Sequence, residues 1–211
     1  MEELRYTLLG NGSSDRRLIP VVTWLLQQHT PLPVASTWAD LGFLLARPTS
    51  LQERVRMSLR YYPAPILFVH RDAETATRQD RVDEIERALS GLRVGQYVCV
   101  VPIKMQEAWF LFDETAIRRA AGNPNGRDPL YLPTVRDLER IDDPKNLLFE
   151  ALRAASGLGP RRLARFNVRQ AAHRLAELID DYSPLRELSA FAAFESDVQV
   201  TLAQVARATT G

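Results

Sequence analysis

Along the chain, short unbroken apolar runs are separated by longer stretches in which apolar residues recur three and four positions apart. The first run, Arg5 to Leu9, is β-prone and stops at Gly10-Asn11-Gly12-Ser13-Ser14, residues that favour turns and helix caps. A strand feeding a tight loop is predicted. Beyond Asp15, Leu18, Val21, Val22, Leu25 and Leu26 fall on one face of a helix reaching about Gln28, with Pro20 confined to its first turn. The Pro-rich stretch from Thr30 to Thr49 gives no clear period, and Ala39 to Ala46 fits a short helix or a strand with its turn. Leu51 to Tyr61 reads as helix, and Ile66 to His70, flanked by Pro63 and Pro65, as a buried strand. Val82, Ile85 and Leu89 mark the next helix, stopped by Gly91; Tyr97 to Ile103 is a third buried strand. A helix from Glu107 to about Arg119 follows, with Trp109, Phe112, Ala116 and Ala120 along one side.

Strands alternating with helices imply a largely parallel sheet covered on both faces, an α/β fold of Rossmann-like type, with its ligand site beyond the carboxyl ends of the strands. After the loop Gly122 to Pro133 the pattern becomes helical. Asp143-Pro144 starts a helix through Ala155, Val168 to Ile179 carries a regular apolar stripe, and Phe191 to Ala206 adds another helix. The reading is an α/β core over 1–121 and a mostly helical extension over 122–211, packed on that core.

Composition narrows the picture. At 211 residues, 45% hydrophobic and 25% charged, the chain suits one ordinary globular domain that needs no disulfide, and its single cysteine, Cys99, allows none within the chain. A formal charge of +1 excludes a uniform field toward a polyanion, so such a site is a local patch. No apolar stretch approaches the ~20 residues of a membrane-spanning helix. The N-terminus carries acids where a secretory signal has an uncharged core, so a cytoplasmic protein without membrane attachment is expected.

Acids gather where the strands end: Asp15 after the first, Asp72 and Glu74 after the second, Glu107 after the third. Carboxylates on one sheet edge suit a hard divalent cation, which takes oxygen ligands and shares them with water and substrate phosphate. Each acid also has a plainer reading. Asp15 is placed to cap a helix, Glu107 lies near a helix N-terminus that favours negative charge, and Asp72 and Glu74 fit solvated loop positions. Arg16, Arg17 and Arg71 stand beside the acids, either to receive a phosphate backbone or to balance charge. His70 is a candidate proton carrier or metal ligand, against a satisfied core histidine. Arg161 to Arg174 is the one concentrated basic stretch, either a nucleic-acid contact or the wet face of an amphipathic helix. No Walker loop, zinc-type Cys/His cluster or Gly-x-Ser-x-Gly elbow occurs.

The succession Leu9-Gly10-Asn11-Gly12-Ser13-Ser14-Asp15, then His70-Arg71-Asp72-Ala73-Glu74, then Gln106-Glu107-Ala108-Trp109-Phe110-Leu111-Phe112-Asp113 resembles the Toprim (topoisomerase–primase) superfamily. It is most similar to the Toprim-like family called domain of unknown function 4276. The likeness continues through Asp143-Pro144-Lys145-Asn146-Leu147-Leu148 and the region Ser189 to Phe194. The resemblance implies a Toprim-like nuclease or phosphoryl-transfer protein acting on nucleic acid, with Mg²⁺ or Mn²⁺ as cofactor. Asp72, Glu74 and Glu107 would be the metal ligands and Asp15 and Asp72 the catalytic acids; Arg16, Arg17 and Arg71, by their adjacency to these acids, are the candidate phosphate-binding residues. It also implies prokaryotic antiphage defence beside an ATPase partner; self-association stays open. In such families the first loop carries an acid where this chain has Asn11, and an amide cannot exchange a proton. Two alternatives follow: a catalytically lapsed Toprim-like module that binds a protein or a nucleic acid, and an enzyme for a small phosphate compound.

Overall fold

The structure, a computed structural model, describes residues 3–210; Met1, Glu2 and Gly211, which belong to the N-terminal reading and to the ends of the two ranges above, lie outside them. Four strands, β1 (Leu4–Leu9), β2 (Val34–Trp38), β3 (Ile66–His70) and β4 (Gln96–Val100), form one all-parallel sheet in the order β2-β1-β3-β4. The chain steps from β1 outward to β2, then crosses back over β1 to β3. That reversal opens a crevice at the carboxyl ends of β1 and β3, the position where open α/β sheets hold their ligands.

Helices cover both faces of the sheet. α1 (Leu18–His29), α2 (Leu51–Tyr61) and α3 (Arg78–Leu89) alternate with the strands. Then come α4 (Glu114–Ala120), α5 (Pro144–Ala155), α6 (Pro160–Leu163), α7 (Val168–Leu178) and α8 (Ser189–Thr210). One core packs Leu9, Leu67, Val69 and Cys99 against Val55 of α2 and Ile85 of α3. The other packs Tyr6, Leu8, Phe68 and Val98 against α1 and the C-terminal helices, so the last third closes one face of the sheet. α8 lies over β4, and its Phe194 meets both Phe68 and Trp109, stacking on the indole with ring centroids 6.0 Å apart.

Four local readings need correction. The unassigned stretch from Thr30 to Thr49 contains β2, whose residues are only half-buried because it pairs on one side alone, with β1. Ala39 to Ala46 is neither helix nor strand but turn and loop. The expected helix from Glu107 to Arg119 is two pieces, a 3-10 turn Gln106–Phe110 and then α4, because the Asp113 carboxylate accepts from the Ala116 amide at 2.9 Å and starts a new helix. The third buried strand ends at Val100, short of Ile103, although the segment beyond it keeps bonding to the one after β3.

Candidate functional site

At the carboxyl ends of β1 and β3 lies a polar cavity of about 290 Å³, lined by Asn11, Gly12, Ser14, Asp15, His70, Arg71, Asp72 and Glu74. Asp15 sits at its floor, 4% exposed, in a 3-10 turn Ser13–Arg17. Oδ2 accepts the backbone amides of Asn11 (2.6 Å) and Gly12 (3.3 Å). Oδ1 accepts the Ser14 hydroxyl (2.9 Å) and the Gln106 side-chain amide (2.7 Å). A carboxylate filled in this way anchors the glycine loop. Gly10 makes room for it: a Cβ there would come within 2.6 Å of Asp15 Cβ and 2.7 Å of the Trp38 ring.

His70, 2% exposed at the end of β3, belongs to the cavity and not to the apolar core alone. Its Nδ1 lies 2.9 Å from the Val100 carbonyl oxygen, which only accepts, so Nδ1 carries a proton. Nε2 then faces two carboxylates, Asp72 Oδ1 at 3.5 Å and Asp15 Oδ2 at 3.8 Å. Asp72 accepts the Gln106 backbone amide at 2.7 Å on the same Oδ1, leaving Oδ2 without a hydrogen bond among the described residues. Burial pushes the Asp72 carboxyl up to about 6, with Glu107 and Asp15 adding to the rise and His70 and the Gln106 amide opposing it.

The loops that carry these groups are laced together. The amides of Arg71, Ala73 and Glu74 donate in turn to the carbonyls of Val100, Pro102 and Lys104, extending the β3–β4 pairing past the strands. Glu74 (φ 54°) and Lys104 (φ 61°) both adopt the left-handed conformation that costs a side-chain-bearing residue roughly 1–2 kcal/mol. Such local strain collects at functional sites. Glu74 itself is exposed and accepts from Arg81 at 3.1 Å, while Arg81 Nε also donates to the Asp72 carbonyl.

The remaining expected residues divide. Glu107 is 3% exposed, and its Oε1 accepts from Arg17 Nη2 at 2.8 Å, a buried ion pair joining the turn after β1 to the turn after β4. Arg17 also donates through Nε to the Ser14 carbonyl. Its guanidinium is thus committed to the protein and is not free for a phosphate. Arg16 is exposed beside the turn, and Arg71 lines the cavity while pairing with Glu84 at 3.0 Å.

Two site residues escaped the sequence reading. Gln106 bridges Asp15 through its side chain and Asp72 through its backbone, tying three strand ends together. Arg54 of α2 donates to the Gly10 carbonyl and to Asn11 Oδ1; burial lowers its pKa, and so does Arg71 nearby. Neither carries a local signal, although the capping box Ser50–Glu53 fixes where α2 begins.

The donor chemistry of the cavity fits a hard cation in part. Asp72 and Glu74 supply carboxylate oxygens, and Mg²⁺ is commonly held by only one or two carboxylates, with water and phosphate completing its shell. Among the described residues no group of three or more His, Cys, Asp or Glu side chains is arranged to hold a metal ion, so a larger protein cage is not present. Compared with protein-family models, curated proteins and solved structures, the chain matches none, and the functional reading rests on the site and on the motifs themselves.

Proposed function

We propose that this chain is a Toprim-like, Mg²⁺- or Mn²⁺-dependent phosphoryl-transfer protein that hydrolyses phosphodiesters in nucleic acid. The observation that carries the reading is the convergence of Asp15, His70 and Asp72 on one cavity at the β1/β3 crevice, with Nε2 of His70 within 3.8 Å of both carboxylates. Asp72 and Glu74 are the residues that would hold the cation, which supplies Lewis-acid polarisation of the phosphate and lowers the pKa of a bound water. Glu107 stands behind them, tied to Arg17.

The chain's own groups have separable tasks. Asp15, with four donors on its two oxygens, keeps the glycine loop in place and holds negative charge against His70. Nδ1–H of His70, bonded to Val100, fixes the imidazole so that Nε2 is the atom that takes or gives a proton. Asp72, raised to about 6 by burial, would give up its proton when the cation binds. Arg71, on the cavity wall, is positioned to meet a phosphate oxygen.

Isothermal titration of Mg²⁺ and Mn²⁺ into the wild type and the Asp72→Ala/Glu74→Ala variant tests the reading, followed by both proteins on supercoiled plasmid. Binding lost in the variant together with metal-dependent nicking by the wild type is the expected result. No binding and no nicking would overturn it. The second reading, a catalytically lapsed interaction module that works with a partner such as an ATPase, draws on Asn11: its side-chain oxygen is occupied by Arg54 where the family has an ionisable acid. That module predicts partner binding indifferent to EDTA.

A further inference from the structure

The phosphodiester reading leaves unused the one concentrated basic stretch, Arg161 to Arg174, which contains no acidic residue. Among the described residues, ten of the twenty-two other Lys and Arg residues sit in ion pairs with Asp or Glu. Arg161, Arg162, Arg165, Arg169 and Arg174 are all exposed, and among the described residues none of them has a carboxylate partner. In a chain of 27 basic and 26 acidic residues, five unneutralised arginines within fourteen positions of sequence are a local surplus, not an average surface. A helix face that is merely solvated would mix the two signs.

The surplus is also well placed. α6, the turn after it and α7 carry these arginines, and α7 packs against the 3-10 turn that holds Asp15. His173, one turn beyond Arg169, lies close enough to that turn for Arg17 and Arg16 to depress its pKa further, after burial. Phe166, between the two helices, is partly buried against the core, which ties down the α6–α7 corner. Arg16 is exposed on the turn itself and near enough to His173 to act on it.

We propose that the arginine face of α6 and α7, continued by Arg16, is a nucleic-acid backbone interface that leads a strand to the Asp15–His70–Asp72 cavity. The choice of nucleic acid over other polyanions rests on the phosphodiester reading of that cavity; the binding itself needs no turnover. Contacts of this type are sequence-independent and act by counterion release, with log K falling by about 0.7 per phosphate contact per log unit of salt on a single strand.

The test is fluorescence anisotropy of a labelled 20-nucleotide DNA strand, and of its duplex, titrated with full-length protein in EDTA across a salt series. The variants are Arg161→Gln/Arg162→Gln/Arg165→Gln and, separately, Asp72→Ala/Glu74→Ala, each checked by its melting temperature. The expected result is binding of at least one DNA form by the wild type. Loss of the three arginines should flatten the salt slope by about 2 and weaken binding roughly 50-fold at 0.15 M salt. The Asp72→Ala/Glu74→Ala variant, which removes two carboxylates from the cavity, should bind at least as tightly as the wild type and keep the full salt slope, which separates this interface from the catalytic proposal. The interface is refuted by no binding of either DNA, by an unchanged salt slope in the arginine variant, or by equal binding of poly-glutamate.

Discussion

Replacing Glu107 by Gln keeps the shape of the side chain and removes its charge, which isolates what the Arg17–Glu107 pair contributes. The side chains of Arg17 and Glu107 are 3% and 4% exposed, so water cannot take the place of the lost carboxylate. Among the described residues Nη1 of Arg17 is already buried without a partner, leaving the guanidinium no reserve of hydrogen bonds. Breaking such a pair from one side costs about 3–5 kcal/mol, because the remaining charge stays buried and uncompensated. For a chain of 211 residues, each kcal/mol corresponds to about 2–4 °C in Tm, so Glu107→Gln should melt roughly 6–20 °C below the wild type in metal-free buffer. Differential scanning calorimetry reads this directly. The Arg17→Met/Glu107→Leu variant should recover most of the loss, since apolar groups of similar volume often replace a buried pair at little cost. A Glu107→Gln protein that melts within about 1 °C of the wild type yet loses Mg²⁺ affinity would refute the strut and make Glu107 a metal ligand.

Three other outcomes are expected. The Asp72 carboxyl is raised from 3.8 to about 6, so the native state holds an extra proton between those values and its stability falls as pH rises through that window. Asp72→Asn should therefore exceed the wild type by about 3 kcal/mol in urea titrations near pH 7, with the gap closing toward pH 4; a gap that does not change with pH contradicts the assignment. Gly10→Ala forces a Cβ against Asp15 and the Trp38 ring, and overpacking of this kind costs about 1–3 kcal/mol; a wild-type melting curve would show that the loop yields freely. Cys99 is buried with its thiol pushed up to about 12 by burial, so Ellman's reagent near pH 8 should find no thiol in the native protein and one after denaturation.

What was legible in the sequence depended on how far each signal is local. Ile66 to His70 reads as a strand because all five positions are buried, which leaves an unbroken apolar run. Val34–Trp38 does not, since an edge strand with half-buried residues between prolines has neither alternation nor a continuous apolar stretch. Asp15 and Asp72 were found because each follows a strand, and the strand order then brings both to His70. Arg54 and Gln106 were not, because their roles depend on packing across 43 and 91 positions of chain. The same distance hid the tie between Arg17 and Glu107, two residues singled out for different chemistry that turn out to hold each other.

The placement of α8 bears on how the molecule is made. Phe191, Phe194 and Val198 complete the core over the face of the sheet that carries Tyr6 and Phe68, so β1 and β3 are closed by a helix that begins about 180 and about 120 residues after them. Until α8 emerges, that face of the nascent sheet offers uncovered aromatic surface to its surroundings. Contacts so distant along the chain form slowly, and the exposed intermediate is the form on which a ribosome-bound chaperone, or a neighbouring unfinished chain, acts first.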